Sequence, residues 1–177
     1  YEFISDEKSP QGVIASVKIP VMPVAAPQGR CVLLDGLQDP GNVGTIIRTA
    51  NAAGYGDIYL VGCADPFSPK AVRASMSGVF FTRIMQGSAQ EVLSALGGVP
   101  LVCADMDGES AYGFAAPEKF CLCIGSEGSG LSEEVRRAAA HTVKIPMRPT
   151  CESLNAAVSA GILMYLLKGA ENLVSKE

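Results

Sequence analysis

Five polar side chains stand in stretches shaped by glycine or proline: Asn42, Arg48, Glu127, Ser153 and Asn155. They offer two amides, a guanidinium, a carboxylate and a hydroxyl, and they fall in three separate stretches. The first runs Asn42-Val-Gly-Thr-Ile-Ile-Arg48, where Val43, Ile46, Ile47 and Ala50 recur at helical spacing. Arg48 lies roughly 140° from the centre of that apolar stripe, so it either rests in solvent or leaves the core to reach a site. Asn42 reads as the N-cap of the helix. The second stretch, Gly125-Ser126-Glu127-Gly-Ser-Gly130, does not follow the GxGxxG dinucleotide fingerprint. Its glycines either let a backbone approach a ligand closely or simply make a tight strand-to-helix turn. Glu127 would repel a phosphate; it can instead hold an arginine, or accept a hydrogen bond from a ribose hydroxyl or an amine. In the third stretch, Ile145-Pro146-Met147-Arg-Pro149-Thr-Cys-Glu-Ser153-Leu154-Asn155, two prolines stiffen a loop whose backbone can pair with a purine edge. Ser153 is placed to cap the helix that follows, and Asn155 lies in its first turn.

These stretches need elements to hold them. Apolar runs at Cys31–Asp35, Asp57–Gly62, Val79–Met85, Leu101–Ala104, Phe120–Ile124 and Thr142–Ile145 read as strands. Between and after them, Asn42–Ala50, Pro69–Ser77, Ser88–Leu96, the segment capped by Ser132 and Ser153–Lys168 read as helices. The alternation predicts an α/β fold with a mostly parallel sheet and helices on both faces. Strands that are apolar throughout fit a sheet covered on both sides. In such sheets ligands gather at the carboxyl ends of the strands, where these polar stretches mostly lie.

At 177 residues, 48% apolar and 18% charged, the chain can bury one real core. Its longest apolar run, Ala156 to Leu167, is too short to span a bilayer. Six cysteines without a CxxC pair, and a single histidine, argue against zinc or any other metal site and for reduced thiols in a cytoplasmic protein. His141, between a helix end and a strand, reads as structural or exposed. The net charge of −4 is unfavourable for phosphate contacts unless the cations are locally clustered. Residues 1–29 read as a linker and an entering strand (Gln11 to Lys18) from an upstream RNA-binding domain, followed by a catalytic domain over 30–177.

In order and spacing, the three stretches resemble the signature motifs of the SpoU/TrmH family of RNA 2′-O-ribose methyltransferases, in the SPOUT superfamily. The Ile145-Pro-Met147 and Glu152-Ser-Leu-Asn155 pieces are the most diagnostic, and the resemblance runs from about Arg30 to Lys168. It implies a deep C-terminal trefoil knot, a homodimer built through the knot and the small-residue final helix, and S-adenosylmethionine as cofactor. It also implies methyl transfer to a ribose 2′-hydroxyl of tRNA or rRNA. By position, Arg48, Asn42, Glu127, Ser153 and Asn155 would form the catalytic set. Cys103, Ala104, Asp105, Gly125, Ser126, Gly130, Ile145, Pro146, Met147 and Leu154 would hold the cofactor. Pro149 stands where relatives commonly carry glycine. Two other readings are a non-catalytic RNA-binding module of the same fold and a nucleotide-binding Rossmann enzyme. The latter is disfavoured because Asp39-Pro-Gly-Asn42, not a glycine-rich turn, follows the first strand.

Overall fold

The computed structural model describes residues 15–167. Six strands, β1 (Cys31–Asp35), β2 (Asp57–Val61), β3 (Arg83–Gln86), β4 (Leu101–Ser110), β5 (Cys121–Gly125) and β6 (His141–Lys144), form one sheet in the order β3-β2-β1-β5-β4-β6. Every pairing is parallel. The helices are α1 (Pro40–Ala53), α2 (Pro69–Ser75), α3 (Ala89–Leu96), α4 (Glu133–Arg137) and α5 (Ala156–Leu167). Alternate strand residues supply two cores. One gathers Val32, Leu34, Ile58, Leu122 and Ile124 with the apolar faces of α1 and α5. The other gathers Leu33, Tyr59 and four buried cysteines (Cys31, Cys103, Cys121 and Cys123) with Val92 and Leu96 of α3 and Val135 of α4. All six cysteines are free thiols. Burial, with the neighbouring thiols of Cys123 and Cys31, pushes the Cys121 thiol well above its ordinary range.

Helix α1 starts earlier than Asn42 suggests. Asp39 is the cap: its Oδ1 accepts the Gly41 N–H at 2.8 Å, and Pro40 occupies the first helical position. Asn42 therefore sits in the first turn with its side chain released from capping. The helix ends at Gly54, whose φ of +82° places it in the left-handed region. Its other face meets α2 so closely that a Cβ on Gly44 would lie 2.2 Å from the Ala71 carbonyl oxygen.

The expected strand over Val79–Met85 is shorter and later. Met76 and Ser77 turn left-handed (φ 44° and 70°), a 3-10 turn covers Gly78–Phe80, and pairing begins only at Arg83. Strand β4, in contrast, runs beyond the expected Ala104. Ala104 and Glu109 both face Val143 of β6, so residues 105–108 loop out of the ladder and return. Gly108 allows the return, since a Cβ there would come within 2.6 Å of the Thr142 and Val143 backbone.

Residues 15–29 carry no regular secondary structure; residues 15–23 are exposed, while Val24 and Ala25 pack on the second core. Tyr59 donates its hydroxyl to the Ala25 carbonyl at 2.7 Å, and the Gln28 N–H donates to buried Asp57 at 2.7 Å. Residues 11–14 of the expected entering strand lie outside the described residues. No helix among the described residues is long and apolar enough to cross a membrane.

Candidate functional site

The carboxyl-terminal edge of the sheet carries a cleft. Three pieces of backbone border it: the middle of β4 where its register shifts, the glycine turn after β5, and the segment between β6 and α5. Ile124, Val143, Ile145, Met147, Leu154 and Leu163 give it apolar walls; Asp105, Glu127, Arg136 and Ser153 give it polar edges.

The glycine turn is built by close backbone contact. Ser126 and Gly130 exchange both backbone hydrogen bonds, at 3.1 and 3.0 Å, and the Ser126 and Ser129 hydroxyls lie 2.8 Å apart. A Cβ on Gly125 would stand 2.2 Å from the Gly130 carbonyl carbon, so no other residue fits there without moving the turn. Buried Asp35, the register neighbour of Gly125, accepts the Ser132 N–H at 2.7 Å and thereby ties the start of α4 to the end of β1. Ser132 in turn caps α4, with Glu133 and Glu134 in its first turn.

Side chains from all three stretches meet at this edge. The Asn42 Nδ2 donates to Glu127 Oε1 at 2.6 Å, and Asn155 Nδ2 donates to Asn42 Oδ1 at 3.0 Å. Asn155 uses its own Oδ1 to accept the Ala157 and Val158 N–H groups at 2.9 and 3.2 Å. Asn155, not Ser153, is therefore the cap of α5. Each amide is oriented at both ends, so the carboxylate of Glu127 is fixed relative to the start of the last helix. Asn155→Ala is expected to lower stability by about 1 kcal/mol through the lost cap and to loosen Glu127 as well. Asn155→Asp, which keeps the capping oxygen but not the amide donor, is expected to restore most of the thermal midpoint while leaving activity low. Equal recovery of both would show that the cap alone matters.

The remaining expected residues divide by position. Glu127, Ser153, Ala104, Asp105, Gly125, Ser126, Gly130, Ile145, Met147 and Leu154 line the cleft. Asn42 and Asn155 join it through the amide chain. The Cys103 side chain lies in the core of the opposite sheet face, and Pro146 is outside the lining although both its neighbours are in it. Arg48 is exposed on α1, outside the lining, and its side chain makes no ion pair or hydrogen bond among the described residues. It lies about 9 Å along the helix from Asn42 and about 120° around it. Gly78 packs on its backbone, where a Cβ would come 3.2 Å from the Arg48 Cα. His141 is exposed and meets the Phe114 ring edge-on at 5.3 Å.

Sequence reasoning passed over Met106, Arg136, Lys144 and Ser159, all of which line the cleft. Arg136 stands out: its Nη1 pairs with Asp105 at 2.7 Å and its Nε donates to the Leu131 carbonyl at 3.0 Å. In the sequence it is one of two arginines closing a short helix, which reads only as a complement to the helix dipole.

Residues 29–165 match the SpoU rRNA Methylase family. Over 96% of this chain, 32% of residues are identical to the 23S rRNA (guanosine(2553)-2′-O)-methyltransferase RlmP of Bacillus subtilis. Over 77% of it, 38% are identical to the 23S rRNA (adenosine(1067)-2′-O)-methyltransferase of Streptomyces laurentii. The chain spans 69% and 53% of the lengths of those two proteins. Among solved structures, an AdoMet-bound rRNA methyltransferase from Sinorhizobium meliloti superposes with a TM-score of 0.78 at 35% identity, over 83% of this chain and 60% of that one.

Proposed function

Because the chain belongs to the SpoU rRNA methylase family, we propose that it catalyses S-adenosylmethionine-dependent methyl transfer to a ribose 2′-hydroxyl of rRNA or tRNA. The observation that carries this reading is the hydrogen-bonded run Glu127–Asn42–Asn155, which unites all three polar stretches at the lip of one cleft.

The cleft suits the cofactor. Its apolar walls accept a flat purine, and Gly125 and Gly130 bring backbone close enough to contact a sugar. Asp105, Gly125, Ile145, Met147 and Leu154 would hold it. When bound, S-adenosylmethionine supplies a methyl group already activated on a sulfonium, so the chemistry needs alignment and charge stabilisation rather than a further activating group.

The protein must orient the ribose oxygen and stabilise the negative charge that grows on it as its proton leaves. In this reading Ser153 and the Asn42–Asn155 amides position the ribose. Arg48 grips the adjacent phosphate through its planar fork and stabilises the developing oxyanion. It does not act as a literal base, because a guanidinium holds its proton at neutral pH. Arg48 is outside its own cleft, which supports a homodimer in which the Arg48 of a second copy completes each site. The small residues Ala156, Ala157 and Ala160 of α5 pack into the chain's own core, and Val158 and Tyr165 of the same helix are exposed for such packing. The proposal extends to the trefoil knot, threading the segment after β6, and to a cytoplasmic setting, which suits six free thiols.

Calorimetry with S-adenosylmethionine, followed by methyl transfer to RNA from cells lacking this protein, tests the reading. Saturable cofactor binding and label on a ribose 2′-oxygen are expected. RNA binding without cofactor binding would instead identify a non-catalytic RNA-binding module.

A further inference from the structure

The cleft is lined by two cations, Arg136 and Lys144, and by two carboxylates, Asp105 and Glu127. We infer that Arg136 is the anchor for the α-carboxylate on the methionine tail of the cofactor, a role that rests on the cofactor reading above.

A guanidinium has five N–H donors. Here two directions are already fixed by the protein: Nε is bound to the Leu131 carbonyl at 3.0 Å and Nη1 to Asp105 Oδ2 at 2.7 Å. These contacts set the plane of the group. The Nη2 edge is left, and beside it stands Gly130, where a Cβ would come 2.8 Å from Nη2. Any side chain at Gly130 would crowd that edge; glycine, held at φ +67°, leaves it accessible. Gly130 and Arg136 both line the cleft, and the Arg136 side chain is 48% exposed. A planar fork, anchored on two sides and accessible on the third, matches a carboxylate better than it matches any other part of the cofactor. The need is also electrostatic. A carboxylate entering a cleft that already holds Asp105 and Glu127 meets repulsion unless a cation faces it. Lys144 carries the same charge without the fork or the two fixing contacts.

Two ligands separate the parts of the cofactor. S-adenosylhomocysteine keeps the amino-acid tail; 5′-methylthioadenosine keeps the adenosine and thioether but lacks it. Calorimetry on the full chain is expected to show Arg136→Gln losing about tenfold or more in affinity for S-adenosylhomocysteine, the scale of a hydrogen bond to a charged group. Affinity for methylthioadenosine should stay within about twofold of wild type, because no tail is present to lose a partner. Arg136→Lys, which keeps charge but not the fork, should retain part of the preference for the tailed ligand. Equal losses for both ligands would make Arg136 a prop for the glycine turn and overturn the inference. So would a tail-selective loss in Lys144→Gln but not in Arg136→Gln. Failure of the wild-type chain to bind either ligand would overturn the cofactor reading itself, and this role with it.

Discussion

Arg48→Lys is expected to lower methyl transfer by about 10²–10³-fold, the range seen when one donor to a developing oxyanion is removed, while cofactor affinity stays near wild type. Both halves follow from position. Arg48 stands outside the cleft that would hold the cofactor, exposed on α1 and without a protein partner among the described residues, so its loss disturbs no packing. An ammonium keeps the charge, but it cannot meet a phosphate and an oxyanion with the same rigid, two-pronged geometry. Single-turnover methyl transfer, measured beside calorimetry on the same preparation, checks both. Near-normal turnover would remove the bidentate role. A parallel loss of cofactor binding would place Arg48 in the cofactor site instead. Mixing Arg48→Lys chains with Asn155→Ala chains adds a test of the dimer: if each site takes its arginine from the other copy, the mixture recovers activity that neither variant has alone.

Gly125→Ala carries the second large effect. The new Cβ would fall 2.2 Å from the Gly130 carbonyl carbon and 2.4 Å from both the Gly130 oxygen and the Leu131 nitrogen. These are backbone atoms, which cannot rotate away as the end of a side chain could. Overpacking of this kind costs about 1–3 kcal/mol, and here the strain falls on the turn that presents Glu127. A lower thermal midpoint and loss of measurable S-adenosylmethionine binding are expected together. Gly128→Ala is the control from the same turn: nothing lies within 4 Å of its Cβ position. If both variants bind cofactor normally, the turn is not part of the cofactor site.

The sequence made some of this legible and hid the rest for physical reasons. Strands β1, β2 and β5 are buried on both faces, so they read as unbroken apolar runs, and the parallel α/β class followed from their alternation with helices. Local signals failed where two residues competed for one role. Asp39 and Asn42 are both good caps; Pro40 decides for Asp39, because proline suits the first helical position and needs no hydrogen bond there. Ser153 and Asn155 compete likewise, and the Ala157 and Val158 N–H groups, which donate to Asn155 Oδ1, decide for Asn155. The second half of β4 was hidden because Asp105-Met-Asp-Gly108 breaks the apolar run, although pairing with β6 resumes after a register shift. Arg136 was invisible for a different reason: its importance comes wholly from Asp105 and Gly130, which the fold brings to it. A trefoil knot would leave no local signature, and only the family resemblance suggests one.

The strand order has a further consequence for how the chain must assemble. Cys31 of β1 pairs with Cys121 of β5, so the central seam joins segments 90 residues apart. At about 5–20 residues per second, a ribosome would release β5 roughly 5–18 seconds after β1. During that interval β1, β2 and β3 can associate as a contiguous trio, but the edge of β1 that pairs with β5 stays unpaired. Parallel sheets closed by such distant contacts fold slowly and are exposed to aggregation while they wait. The nascent amino-terminal half is thus the stage at which this protein would most depend on a chaperone.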